Sequence, residues 1–287
     1  MWYSYSFKYD PIEFIQSENP SDFFISNQLE EIFKEVFDLR GVPQNPQNHP
    51  EGDAFEHTLL TINNAAMIAS RENLSLEDRL ILILSATLHD IGKSLATEFK
   101  LENGERVNYR EYSQDIHGQG KVVSYNHDKM AMDIIDNVLN KLQLSENIKN
   151  KIKILVLLHM RPTLLSKNIN ELHQSSINKI KRKLIENNIN PKILMFLNEA
   201  DLKRAEDRNY PENHRIFFDK MEEIEYEPEI NIMNGNEIIQ LIEEFLGKDY
   251  NPKLIGDLIK TANQLYSEGM EKGKIIEEIK NILIGMS

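Results

Sequence analysis

"LILILSATLHDIGKSL", residues 80–95, is a strongly apolar run that meets a His-Asp pair and ends at glycine and lysine. A run of this kind seeks the core, and a carboxylate inside it needs explaining. Burying an ionised carboxylate is unfavourable by several kcal/mol unless a cation or a metal compensates it. The rest of the chain must supply a partner for His89 and Asp90.

Around this run, apolar residues recur at helical spacing almost throughout. Leu29, Ile32, Phe33, Val36 and Phe37 mark one face of a helix that ends at Gly41. Similar patterns predict helices over about 54–72, 77–92, 128–142, 146–160, 173–188, 191–205, 235–246, 252–267 and 271–284. The fold class is all-α. Two segments interrupt the rhythm. Residues 41–53, "GVPQNPQNHPEGD", are rich in turn formers and read as an ordered loop leading into a helix, with Asp53 as its N-cap and Glu56 completing a box-like pattern. Residues 94–126 form a long connection in which Asn103-Gly104 is a turn signal between two short stretches able to pair as a β-hairpin. The expected organisation is an N-terminal segment and helix over 1–40, a helical bundle over 41–225, and a helical extension over 226–287.

Composition excludes several classes. Cysteine is absent, so disulfides, thiolate catalysis and cysteine-held zinc are ruled out, and any metal must rest on histidines and carboxylates. The longest apolar runs fall short of the roughly 20 residues of a bilayer crossing, so no membrane partner is expected. The N-terminus lacks the basic start and apolar core of a secretion signal, which points to the cytoplasm. A formal charge of −13 argues against broad nucleic-acid binding, though it leaves room for a local basic pocket.

The eight histidines are distributed unevenly. His57, His89, His127 and His159 lie in or beside apolar helical patterns, and Asp201 lies in another, "KILMFLNEADLKRA". Any one of these is adequately read as a core residue satisfied by a hydrogen bond. Five helices each contributing a polar group are better read as a metal site between facing helices. Imidazoles with carboxylates fit a divalent transition metal without choosing among Mn, Fe, Ni, Co and Zn, or Mg. Adjacent helical residues point about 100° apart, so His89 and Asp90 converge only near a helix end. Gly92 fits such an end, either as a terminator or as a point of close approach.

His57, then "HDIGK" at 89–93, then Asp201, resembles the HD superfamily of metal-dependent phosphohydrolases. The order "GVPQNPQNHPEGDAFEHTLL", "LHDIGK", "YNHDKMAMDII", "LLHMRP" and "NEADLKR" resembles the HD domain of bacterial CCA-adding and poly(A)-polymerase-like nucleotidyltransferases. The segment from "NIMNGNEIIQ" onward resembles their helical tail. The resemblance spans about residues 30–285 and includes no nucleotidyltransferase signature, so nucleotide addition to RNA is not expected. It implies an HD-domain helical bundle, with one metal on His57, His89, Asp90 and Asp201. It also implies room for a second on His127 and His159, with Asp90 bridging the two.

Asp90 and Lys93 are the catalytic candidates that follow, Lys93 as an ammonium able to neutralise a phosphate oxygen; a solvated lysine at a helix end is its plain alternative. Arg161, Arg204, His49 and His117 are weaker candidate substrate contacts: the two arginines are better read as surface or ion-pair residues, His49 as holding the loop or capping the next helix, and His117 as a solvated loop residue. His173 and His214 read as solvated. The leading expectation is an enzyme, a phosphohydrolase carrying one or two divalent ions and acting on a nucleotide, a 2′,3′-cyclic phosphate, an RNA end or another phosphorylated small molecule. The rivals are an RNA-binding or interaction module with a structural metal, and a diiron oxygenase.

Overall fold

Every residue from Leu80 to Leu88 is buried, so this stretch of helix has no solvent face and must be enclosed by others. The computed structural model describes residues 11–26, 29–168, 173–202, 210–223 and 232–286. Short helices α1 (Pro11–Gln16), α2 (Ser21–Ile25) and α3 (Lys34–Phe37) precede α4 (Ala54–Arg71) and the enclosed α5 (Leu76–Leu88). A one-turn α6 (Lys93–Ala96) leads into an insertion of β1 (Thr97–Leu101), β2 (Arg106–Asn108), α7 (Gln114–His117) and β3 (Gly120–Ser124). The bundle resumes with α8 (His127–Leu139), α9 (Glu146–Leu158), α10 (Met160–Ser166), α11 (Gln174–Glu186), α12 (Pro191–Leu202) and α13 (Glu212–Glu223).

The walls around α5 are α4, α9 and α12. Side-chain caps start three of these helices. Asp53 Oδ1 accepts from the N–H groups of Phe55 and Glu56 at 3.0 Å each, while its Oδ2 takes the Gly41 N–H at 2.6 Å, so one carboxylate both caps α4 and pins the preceding loop. Ser75 and Ser145 cap α5 and α9 by accepting from Asp78 and Ile148. Of the caps described, the reciprocal box forms at Asn234 and Glu237.

The compact units are Met1–Glu225 and Tyr226–Ser287. The second holds α14 (Gly235–Leu246), α15 (Lys253–Ser267) and α16 (Lys272–Ile284) around its own core of Met233, Ile238, Ile242, Leu258, Ala262, Ile275, Ile279 and Leu283. No described helix is long and apolar enough to cross a membrane.

Several expectations are corrected. The stretch from Leu29 to Gly41 is a string of tight turns around the four-residue α3, not one helix; Phe33 at φ −108°, ψ 39° breaks it. Turns nevertheless bury Leu29, Phe33, Val36 and Phe37 as a helix would, which is why the periodicity misleads. The hairpin turns at Asn103-Gly104, with Gly104 at φ +86°, and pairs Phe99 with Val107. A third strand, β3, lines the other side of β1 and pairs Phe99 with Val122, giving the order β2-β1-β3. Helix α13 was not anticipated, and residues 203–205 of the expected 191–205 helix lie outside the described residues.

Gly92 is not a left-handed terminator: it sits at φ −67°, ψ −14°. Its role is close approach. A Cβ there would lie 2.0 Å from the His127 carbonyl oxygen and 2.6 Å from the Ala131 nitrogen, so glycine lets the start of α8 press against the turn after α5.

Candidate metal centre

Helix ends decide where the histidines point. α5 and α9 pack side by side and stop at Leu88 and Leu158, leaving His89 and His159 as helical C-caps at neighbouring positions. Beyond α5 the chain turns through Asp90 and Ile91, with Lys93 N–H bonded to the Asp90 carbonyl at 2.8 Å. This turn lets His89 and Asp90 face the same way. His57 comes from the first turn of α4, His127 begins α8, and Asp201 comes from the end of α12.

Three of the histidines are held by one device. His89, His127 and His159 each donate Nδ1–H to the carbonyl three residues earlier: Ala86 at 2.8 Å, Ser124 at 2.8 Å and Val156 at 2.6 Å. His57 Nδ1 faces Glu51 Oε1 at 2.8 Å instead. With each Nδ1 bound to an acceptor, a ring in its neutral form keeps its proton there and turns the lone pair of Nε2 inward.

Those four nitrogens converge. His57 Nε2 and His89 Nε2 are 3.4 Å apart, and His127 Nε2 and His159 Nε2 are 3.1 Å apart. Asp90 lies between the pairs: Oδ2 is 3.1 Å from His89 Nε2 and 3.7 Å from His57 Nε2, whereas Oδ1 is 3.2 Å from His127 Nε2 and 3.9 Å from His159 Nε2. Asp201 Oδ1 belongs to the first pair, 2.9 Å from His57 Nε2 and 3.6 Å from His89 Nε2. The side chains of His57, His89, Asp90, His127 and His159 are buried.

The electrostatics follow this split. Burial alone would push the His89 imidazole down, but the charges of Asp90 and Asp201 prevail and raise it to about 10. His57 is likewise raised against its burial, by Asp201 and Glu51. Asp90 and Asp201 are held well below the ordinary carboxylate range despite burial, chiefly by His89 for Asp90 and by His57 for Asp201. His159 goes the other way, to about 3, because it is buried beside His127 and His89.

Four ring nitrogens gather around two carboxylates, Asp90 and Asp201 draw protons to those of His57 and His89, and a cation could take the place of those protons; Asp90 adds a second sign that positive charge belongs here. Its Oδ2 lies 2.7 Å from Lys93 Nζ, an ion-pair distance, yet accepts no aligned hydrogen bond and is buried without one. The residues present therefore fit divalent cations. Geometry groups the donors as His57, His89 and Asp90, and as Asp90, His127 and His159, with a third group of His49, Glu51 and His57 at the loop.

The remaining candidates are placed as follows. Lys93 is buried and donates to Gln44 Oε1 at 2.6 Å as well as pairing with Asp90. His49 holds Glu51 Oε1 at 2.9 Å and packs edge-on against the His57 ring. Against burial, the hydrogen bonds from His57 and His49 hold the Glu51 carboxyl at about 2. Arg161 is exposed at the start of α10, in the wall of a cleft shared with His127. His117 makes local contacts, accepting at Nδ1 from the Ser113 N–H at 3.1 Å and stacking on Tyr112. Arg204 lies outside the described residues. His173 is exposed, but His214 is not the solvated residue expected: it is buried in α13, its Nδ1 2.7 Å from Asn198 Oδ1. Asn198 also accepts from Tyr210 and donates to Thr163, and Asn64 donates to the Ala200 carbonyl; these bonds fix the end of α12 that carries Asp201.

Sequence reasoning missed Gln44, Asn198 and the three carbonyl clamps. Nothing in "GVPQNPQ" marks Gln44 as the partner of a lysine 49 residues away, and a backbone carbonyl has no sequence signature.

A family model described as "HD domain" matches residues 54–201, the span from α4 to Asp201. Curated relatives match shorter stretches. A "Multifunctional CCA protein" of Halorhodospira halophila is 45% identical over 67 residues, 23% of this chain and 14% of the relative. Those of Hahella chejuensis and Haemophilus influenzae are 34% and 31% identical over 73 and 88 residues, covering 25% and 29% of this chain but 15% and 21% of their own length.

Proposed function

We propose, from the premise that this chain belongs to the HD-domain family and so to the superfamily of metal-dependent phosphohydrolases, that it hydrolyses a phosphoester of a nucleotide, a 2′,3′-cyclic phosphate or an RNA end at a two-cation centre. One observation carries this reading: Asp90 turns one oxygen to the His57–His89 pair and the other to the His127–His159 pair. His57, His89, Asp90 and Asp201 would hold one ion, and Asp90, His127 and His159 the other. Divalent ions there would lower the pKa of bound water toward neutrality and would neutralise phosphoryl oxygens.

The chain's own groups do the rest. The carbonyls of Ala86, Ser124 and Val156 and the Glu51 carboxylate keep each Nδ1 protonated, and so keep Nε2 available. Lys93 lies one turn past Asp90 with its ammonium at the centre, where it can pair with a phosphate oxygen once ions take up the Asp90 charge. Arg161, exposed beside His127, is a second phosphate contact. His49 and His117 are engaged locally, which leaves Lys93 and Arg161 as the stronger substrate contacts.

The test is metal analysis of the purified chain, followed by a phosphatase and phosphodiesterase screen with Mn, Ni, Co and Mg. Bound metal, with turnover that disappears in Asp90→Ala, supports the reading. A binding module with a structural metal draws on the likeness to CCA proteins. No turnover of any phosphoester, with tight RNA binding that survives Asp90→Ala, would establish that module instead.

A further inference from the structure

The sheet insertion does more than connect α6 to α8. Its β2, the turn after β3 and the first residues of α8 and α10 enclose a cleft of about 430 Å³. His127 belongs to both cleft and centre: it lines the cleft, and its Nε2 is 3.2 Å from Asp90 Oδ1. A molecule in the cleft therefore meets His127, one residue of the His127–His159 half of the centre.

The lining has an unusual mixture for this chain. Arg106, Lys129 and Arg161 face one carboxylate, Asp128, among the described lining residues, although the whole chain carries −13. Arg161 and Lys129 are exposed and make no ion pair among the described residues. Tyr125 is 51% exposed and Leu164 is 48% exposed. The Arg106 guanidinium sits 4.9 Å from the Tyr125 ring centre, which orients the ring while leaving half of the residue open. Arg161 and Lys129, without an ion pair among the described residues and beside an oriented open aromatic ring, match a ligand with both a phosphate and a planar ring. Every nucleobase offers such a face for stacking.

Taking the phosphohydrolase reading as its basis, we infer that this cleft is a subsite for the base and a flanking phosphate of a nucleotide whose scissile phosphate lies at the centre. The base stacks on Tyr125 against Leu164, and Arg161 and Lys129 take the flanking phosphate.

Three substrates resolve these groups in the metal-loaded full chain: adenosine 3′,5′-bisphosphate, adenosine 5′-monophosphate and ribose 5-phosphate. The expected kcat/KM falls in that order, by about tenfold for each group lost. Tyr125→Ala closes the gap between the monophosphate and ribose 5-phosphate, and Arg161→Ala closes the gap between the bisphosphate and the monophosphate. Equal losses on all three substrates, or no loss, overturn the inference. Calorimetric binding of the bisphosphate to the metal-free chain separates this inference from the reading beneath it. Affinity weakened about tenfold by Tyr125→Ala upholds the subsite even if no phosphoester is turned over. Binding that is absent, or indifferent to both substitutions, refutes it.

Discussion

The two halves of the centre share Asp90 and differ in almost everything else. The half with His57, His89 and Asp201 joins a second carboxylate to Asp90, and Glu51 stands behind His57. Its imidazoles are pulled toward the charged form. The half with His127 and His159 has Asp90 as its shared carboxylate, backbone carbonyls behind both rings, and a His159 driven to about 3. It is also the half whose His127 lines the cleft. The contrast teaches that one half is provided with negative charge and the other borders the cleft through His127. A first ion should bind tightly in the former, and a second more weakly in the latter, next to substrate.

Substitutions that strike one half only test the contrast most strongly. Asp201→Asn should lower occupancy at the first half, and His159→Ala should empty the second while leaving the first filled. Metal counted per chain after gel filtration, across a range of Mn concentrations, distinguishes the two. Equal losses from both substitutions would break the contrast.

A packing change comes next. In Gly92→Ala the new methyl would meet the His127 carbonyl and the Ala131 nitrogen, atoms that cannot rotate away. The expected cost is about 3 kcal/mol, roughly 6–12 °C in Tm, with weakened binding at the His127 half. A melting curve like that of the parent chain would show that the start of α8 is free to shift.

Smaller effects sharpen the picture. Glu51→Gln replaces the carboxylate behind His57, and should weaken first-half metal affinity by about 10- to 100-fold while sparing the second, as read by competition with a metal-binding dye. Asn198→Ala removes the shared acceptor of Tyr210 and His214 while leaving every proposed ligand in place. About 1–3 kcal/mol of stability should be lost in denaturant unfolding, with metal stoichiometry kept.

Much of this was legible in the sequence, for identifiable reasons. The helices of the bundle declare themselves because α4, α8 and α9 alternate buried and exposed faces. Histidines and carboxylates stood out because apolar helices give them no other reason to be there. What could not be read is what depends on distant backbone. The carbonyl clamps, the Gln44–Lys93 bond and the Asn198 network join residues whose spacing carries no period. Strand β3 hid because "GKVVS" is too short to alternate, and the residue 29–41 segment misled because successive tight turns bury the same residues that a helix would. Gly92 read in sequence as a terminator or a point of close approach; the structure shows the second, with the first turn of α8 pressed against it.

The central claim is that Asp90 couples two cations. Its most direct test is electron paramagnetic resonance of the metal-stripped chain titrated with Mn. Two ions per chain with an exchange-coupled spectrum that vanishes in Asp90→Ala is the result this account predicts. A single uncoupled ion at saturation, or a coupled pair that survives Asp90→Ala, would contradict it.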